Sequence, residues 1–222
     1  MSLNKKVTQA KKVILETRDK YGDNVAVAWT GGKDSTLILF LIREVFGHIP
    51  WRVFFNDSTM EFDEIYQHVE KMKNEWKLDL VVERHALADL KKIKESDDGF
   101  EKQRIARMAK INSLNRAVKE NKWEALITGI RIDEHESRAD ETSFSERNNH
   151  IRVHPILEFT EKDVWDYTKE NEVPYVKLYN QGYRSLGEKP FTHQAKKDGN
   201  ERSGREVDKE MHMKQLRSLG YY

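Results

Sequence analysis

The chain has 222 residues, 35% of them charged and 37% hydrophobic, with 39 basic side chains against 38 acidic ones. That length fits one domain with a buried sheet, and the near-neutral balance gives no global drive toward nucleic acid or membrane, so any anion site has to be local. There is no cysteine, which excludes disulfides, thiolate metal sites, iron–sulfur clusters and a cysteine nucleophile among these residues.

Val7, Ala10, Val13 and Ile14 recur at helical spacing, so the first segment reads as an amphipathic helix ending near Gly22. It has no apolar core of signal-peptide length, and no later stretch approaches a membrane span, so a cytoplasmic protein is expected. "VAVAW" (25–29) follows as a strand buried on both faces. From Asp34 to Phe46 the pattern turns helical, with Leu37, Leu41 and Val45 on one face and Gly47 as the stop. "WRVFFND" is a second strand, "EFDEIYQHVEKMKNEW" a helix and "LDLVVERH" a third strand.

A long charged helix is expected from Phe100 to Lys122, then "EALITGI" as a fourth strand, "HIRVHPI" as a fifth and "TEKDVWDYTKEN" as a last helix. Strands alternating with helices predict a single α/β domain over 1–222: an open, mostly parallel sheet of about five strands with helices on both faces. The nucleotide-binding core is placed at about 24–180, with an irregular C-terminal tail, 181–222, folding over the site. "KESDDGFEKQR" and residues 133–149 are polar and read as mobile surface loops.

The stretch "VAVAWTGGKDSTLILF" carries the strongest chemical signal. A strand, two glycines and a helix start let backbone N–H groups and the positive helix end face an anion. Thr30 and Ser35 add hydroxyls, Lys33 a cation, and Asp34 a helix cap or a hold on a metal-bound water. The Walker spacing fails, because Val27 stands at its first glycine and Asp34 follows the lysine; the dinucleotide fingerprint lacks its third glycine. Arg131 and Arg138 fall in the loop after the fourth strand, at the edge where open α/β sheets bind ligands. Their forks suit phosphate or sulfate oxygens, and Glu134 is placed to fix one of them. Asp57 ends the second strand, and Ser58 or Thr59 with Glu61 reads as a cap for the next helix. His150 and His154 lie on a strand and are expected to be structural. Trp165, Tyr167, Tyr175, Tyr179 and Tyr183 are expected to pack.

"TGGKDS" resembles the SGGKDS pyrophosphate loop of the adenine-nucleotide alpha-hydrolase-like superfamily, with Thr30 in the place of serine. "FFNDSTMEFDE", "GIRIDEHESRA", the segment from "HPILEFTEKDVW" to "GYRSLGEKPFT", and the tail "ERSGREVDKEMHMKQLRSLGYY" follow in order. They are similar to motifs of the phosphoadenosine-phosphosulfate reductase and sulfate adenylyltransferase small-subunit group. Where the reductases read Gly-Cys-x-Pro, this chain has Gly187-Glu188-Lys189-Pro190, so the resemblance leans to the adenylyltransferase side.

The resemblance implies ATP, or an adenylated sulfate, with Mg2+, and adenylylation of an oxyanion such as sulfate with release of pyrophosphate. It implies a nucleotide site of Thr30, Gly31, Gly32, Lys33, Asp34, Ser35, Asp57, Gly129, Arg131, Arg138, Arg202 and Arg205. Lys33, Asp34 and Arg131 are its candidate catalytic residues; no metal ligands are assigned. A GTPase subunit is the implied partner and a homo-oligomer an open option, while a membrane or nucleic-acid partner is not expected. Flavin mononucleotide or a tRNA base as acceptor, a reductase using an external thiol, and a non-catalytic nucleotide sensor are the alternatives.

Overall fold

The computed structural model describes residues 1–205, and in it the apolar runs become the middle of one sheet. Helix α1 spans Leu3–Tyr21, β1 Val25–Ala28, α2 Lys33–Phe46, β2 Arg52–Asp57, α3 Asp63–Trp76 and β3 Leu80–Arg84. Then come α4 (Leu87–Glu95), α5 (Gly99–Asn121), β4 (Ala125–Ile127), β5 (Phe144–Glu146), β6 (Ile151–Val153) and α6 (Glu161–Glu170). The strand order is β3-β2-β1-β4-β6-β5. Every pairing is parallel except β5 with β6.

Side chains on a strand alternate between faces, and here each face has its own core. Val25 and Val27 of β1, Val53 and Phe55 of β2, and Ala125 and Ile127 of β4 pack with α1, α2, α3 and α6. Ala26, Phe54 and Leu126 turn the other way and meet Leu114, Ala117 and Val118 of α5. Helices therefore cover both faces, as the continuous apolar strands require. Helix α2 is buried almost all round, since Leu37, Ile38, Leu41 and Ile42 are wholly inaccessible. Each such side chain contributes about 1.5–3 kcal/mol of burial, so α2 is the anchor against which the site is built.

The structure corrects three expectations. The sheet has six strands, because β5 forms inside residues 133–149 and pairs antiparallel with β6. That stretch is not a solvated loop: it holds short 3-10 turns at Ile132–Glu134 and Glu136–Arg138, and Ser137, Arg138, Glu141 and Ser145 are buried. Residues 94–104 are largely helical, with Asp98 capping α5 by accepting from Phe100 N at 2.9 Å. Among the described residues after Gly182 there is one short 3-10 turn, Lys189–Phe191, and the chain returns over the sheet to donate from Lys189 N to Met60 O at 2.7 Å. The rest of the quoted tail, 206–222, lies outside the described residues.

Four buried histidines make the fold acid-sensitive. Burial pulls His68, His85 and His154 down to about 4, and His150 to about 3, from an ordinary value of 6.5. The unfolded chain takes up these protons near its ordinary value, whereas the folded chain resists until much lower pH. Stability is therefore full above about pH 6.5 and falls as pH drops toward 4, by about 1–2 kcal/mol per ring at about pH 5. Thermal melts at neutral and mildly acid pH check this. An unchanged melting temperature would mean that the rings are charged or solvated in the folded state.

Candidate functional site

The strand order reverses between β1 and β4, and the loops leaving their carboxyl ends open a crevice there, where open α/β sheets bind ligands. After β1 the chain needs Gly31: its φ is +72°, and an added Cβ would lie 3.2 Å from Ile65 Cγ2. After β4 it needs Gly129, whose Cβ would sit 2.9 Å from Ser35 N and 3.0 Å from the Asp34 carbonyl carbon. The second loop thus touches the first turn of α2 backbone to backbone. Gly32 is the N-cap of α2 and contributes no side-chain cap. The positive end of a 14-residue helix is left facing the crevice.

A cavity of about 230 Å³ fills this crevice. Thr30, Gly32, Lys33, Asp34 and Ser35 form its polar end, while Phe54, Ile111, Leu114 and Leu126 line an apolar slot between the sheet and α5. Gly129, Arg138, Arg152, Arg202 and Arg205 also border it. Its rim includes Ser185, Leu186 and Gly187, so the returning tail closes one side.

Charge at the polar end is internally paired. Lys33 Nζ donates to Asp34 Oδ2 at 3.0 Å, to the Arg184 carbonyl at 3.0 Å and to Glu201 Oε1 at 2.5 Å. Arg131, with no exposed surface, donates from Nε to Asp34 Oδ1 at 2.7 Å and from Nη2 to both oxygens of Glu201. Burial alone would lower the Lys33 pKa, but Asp34, Tyr179 and Glu201 overcome it and hold the ammonium well above its ordinary value. Burial likewise opposes the charge on Arg131, and Asp34, Glu134 and Glu201 outweigh it. Burial pushes the Glu201 carboxyl up, against Lys33 and Arg131. Beside them, Glu134 pairs with Arg138 and faces Arg202 at 3.5 Å. Burial would raise Glu134, but Arg138, Arg131 and Arg202 bring it down to about 2.

Of the residues singled out in the sequence, Thr30, Gly32, Lys33, Asp34, Ser35, Gly129, Arg138, Arg202 and Arg205 come together on the cavity. Gly31 shapes the loop from behind. Arg131 stands behind the wall, gripping carboxylates. Asp57 is spent locally: it accepts from Thr59 N at 2.8 Å, Tyr66 Oη at 2.7 Å and Arg84 Nε at 3.1 Å. Ser58 donates to Glu61 at 2.8 Å, yet α3 starts at Asp63 with no side-chain cap.

Sequence reasoning missed Glu201, which heads the quoted "ERSGR" segment, and the cavity roles of Thr128, Lys110 and Arg152. It also took Tyr179 for packing alone. Its ring does meet Trp165 edge-to-face, with centroids 5.3 Å apart, but its hydroxyl accepts from Lys33 N at 3.0 Å and burial raises its pKa to about 12.

Asp34, Glu134 and Glu201 bring ligand oxygens within 4.8 Å of one another. Oxygen donors of this kind suit Mg2+. In this arrangement, however, Lys33, Arg131 and Arg138 already occupy them. The group as it stands does not fit a resident metal ion.

Residues 24–194 match the phosphoadenosine phosphosulfate reductase domain. The chain belongs to that family. It is 30% identical over 192 residues to adenosine 5'-phosphosulfate reductase 1 of Bacillus subtilis (strain 168), covering 83% of this chain and 80% of that protein. It is 29% identical over 197 residues to sulfate adenylyltransferase subunit 2 of Pseudomonas fluorescens (strain Pf0-1), covering 77% of this chain but only 64% of the relative. The fold is that of the phosphoadenylyl-sulfate reductase of Candida auris, crystallised as a phosphate complex. The two share a TM-score of 0.70 and 22% identity, over 83% of this chain and 90% of that one. The FMN adenylyltransferase of Candida glabrata, solved with FAD and inorganic pyrophosphate, has a TM-score of 0.67 at 17% identity, over 86% of this chain and 65% of its own. The family thus holds both reductases and adenylyltransferase subunits. No helix among the described residues is long and apolar enough to cross a membrane.

Proposed function

We propose that this chain binds ATP in the crevice between β1 and β4 and transfers its adenylyl group to an oxyanion, sulfate, releasing pyrophosphate. The observation that carries the reading is the start of α2 at the polar end of a cavity whose other end is an apolar slot. A flat base suits the space between Phe54, Leu114 and Leu126, and phosphates suit the loop from Thr30 to Ser35.

An acceptor oxygen attacks the α-phosphorus, the bond to the bridging oxygen breaks, and pyrophosphate leaves with the electron pair. Charge growing on the leaving group faces the helix start and Lys33, with Arg138, Arg202 and Arg205 around it. To reach Lys33 the phosphates have to compete with the carboxylate of Glu201.

The choice of adenylyl transfer over reduction rests on the thiol. Reduction of an adenylated sulfate needs a thiolate to attack sulfur, and these residues hold none. At the site of the reductase cysteine, Glu188 is buried and paired with Lys110 Nζ at 3.0 Å. The relative named as an adenosine 5'-phosphosulfate reductase supports a second reading, in which the same cavity takes the adenylated sulfate and a thiol comes from another protein. A GTPase partner subunit and a cytoplasmic setting are parts of the first reading.

Pyrophosphate release from MgATP is to be measured with sulfate, flavin mononucleotide and tRNA as acceptors, with and without a GTPase subunit. In parallel, sulfite release from either adenylated sulfate is to be followed with thioredoxin present. Sulfate-dependent pyrophosphate without sulfite is the expected result. Steady sulfite above the blank would replace the first reading with the second.

A further inference from the structure

A line of buried polar side chains runs from the cavity wall away from the Lys33 network. Thr128, directly after β4, borders the cavity, and its Oγ1 lies 2.8 Å from His154 Nδ1. Across the ring, His154 Nε2 is 3.4 Å from Glu141 Oε2. The His154 and Glu141 side chains have no exposed surface, and both border a separate hollow of about 300 Å³ beside α1. Carboxylate, imidazole and hydroxyl in this order fix a histidine tautomer, and with it the direction of the hydroxyl's hydrogen bond.

Burial holds the ring neutral, at about 4; Glu141 opposes this, while Arg152 and Arg147, the other charged groups facing it, add to it. A neutral imidazole carries one N–H. Glu141, whose other oxygen accepts from Arg147 Nη2 at 2.8 Å, sets Oε2 at 3.4 Å from Nε2, a charge contact and not a regular hydrogen bond; the carboxylate favours the tautomer that turns an N–H toward it, so the N–H belongs on Nε2. Nδ1 is then an acceptor, and Thr128 must give it the one proton its hydroxyl has. Only lone pairs of Thr128 remain for the cavity.

We propose that Glu141 and His154 position the Thr128 hydroxyl as a hydrogen-bond acceptor toward the cavity, making Thr128 a specificity residue that selects a ligand hydroxyl or amino group. A phosphate or sulfate oxygen, itself an acceptor, is disfavoured at this point. A ribose hydroxyl and the amino group of adenine supply the same donor chemistry. The inference rests on the reading of the cavity as a nucleotide site.

Two measurements test it. Long-range proton–nitrogen NMR of the labelled wild-type protein reads the tautomer of His154, identified by the shift of its ring signals in Thr128→Val. The Nε2–H form is expected, and the Nδ1–H form would overturn the proposal whatever binds. Calorimetry then compares ATP, 2'-deoxy-ATP, 3'-deoxy-ATP and purine riboside triphosphate on wild type and Thr128→Val. One analogue should bind wild type about tenfold more weakly than ATP, and that gap should close in the variant. Which analogue it is separates ribose from base. Identical ratios in both proteins would sink the selection role while leaving ATP binding intact. Failure of wild type to bind ATP would overturn the nucleotide reading and the selection together, with the tautomer decided independently by NMR.

Discussion

Replacing Arg131 by alanine is expected to lower the unfolding free energy by about 3–5 kcal/mol, the usual result of removing one partner from a buried ion cluster. The guanidinium has no exposed surface and holds Asp34 and both oxygens of Glu201. Without it, the carboxylates of Asp34 and Glu201 are left sharing Lys33, and Glu134 stands close by. Lysine should restore part of the loss, since a single ammonium keeps the charge but cannot span both partners with a planar fork. Urea unfolding of wild type and the two variants measures this. A change within about 0.5 kcal/mol for the alanine variant would mean that the guanidinium is solvated and the cluster is not closed. Nucleotide binding has to be compared well below the melting point of the variant, or lost fold will pass for lost affinity.

Gly32→Val is expected to weaken ATP binding by more than tenfold while the protein stays folded. The backbone of Gly32 sits at φ −73° and ψ 160°, open to any residue, so valine brings no backbone strain. Its Cβ would lie 3.2 Å from Thr30 Oγ1 and 3.4 Å from the Tyr179 hydroxyl. The added methyl groups must go toward Tyr179 or into the space before the first turn of α2. Either way they take the volume that phosphates need near the helix N–H groups. Gly31→Val is the contrast, because its positive φ and the contact with Ile65 penalise the fold itself. Calorimetric titration with ATP, paired with a thermal melt, separates the two. Wild-type affinity in a well-folded Gly32→Val protein would remove the start of α2 from the nucleotide site.

The glycine loop and its flanks were legible in the sequence because their causes are local. An apolar run, two glycines and a 3.6-residue pattern dictate strand, turn and helix without help from elsewhere. Helix α4 escaped because it buries only Ile93 and leaves Leu87 84% exposed, so no apolar stripe marks it. Strand β5 escaped because three residues within a charged run carry no period. The fates of the charged side chains were the hardest to foresee. Nothing near Asp57 announces that Arg84, 27 residues on, will take its carboxylate. Nothing near Arg131 points to Glu201, 70 residues away. A guanidinium fork suits a phosphate and a carboxylate alike, so chemistry alone could not tell a ligand contact from an internal one. Only the returning chain decided it.

That return has a consequence in time. Lys33 and Glu201 are 168 positions apart, and a ribosome adds about 5–20 residues per second, so roughly ten to thirty seconds separate their synthesis. For the last 70 positions of that interval, once Arg131 has been added, Lys33 and Arg131 share the carboxylate of Asp34 without that of Glu201. The arrival of Glu201 gives both cations a further carboxylate. Lys33 and Arg131 therefore wait for one of their carboxylate partners until the segment that returns over the sheet is threaded into place.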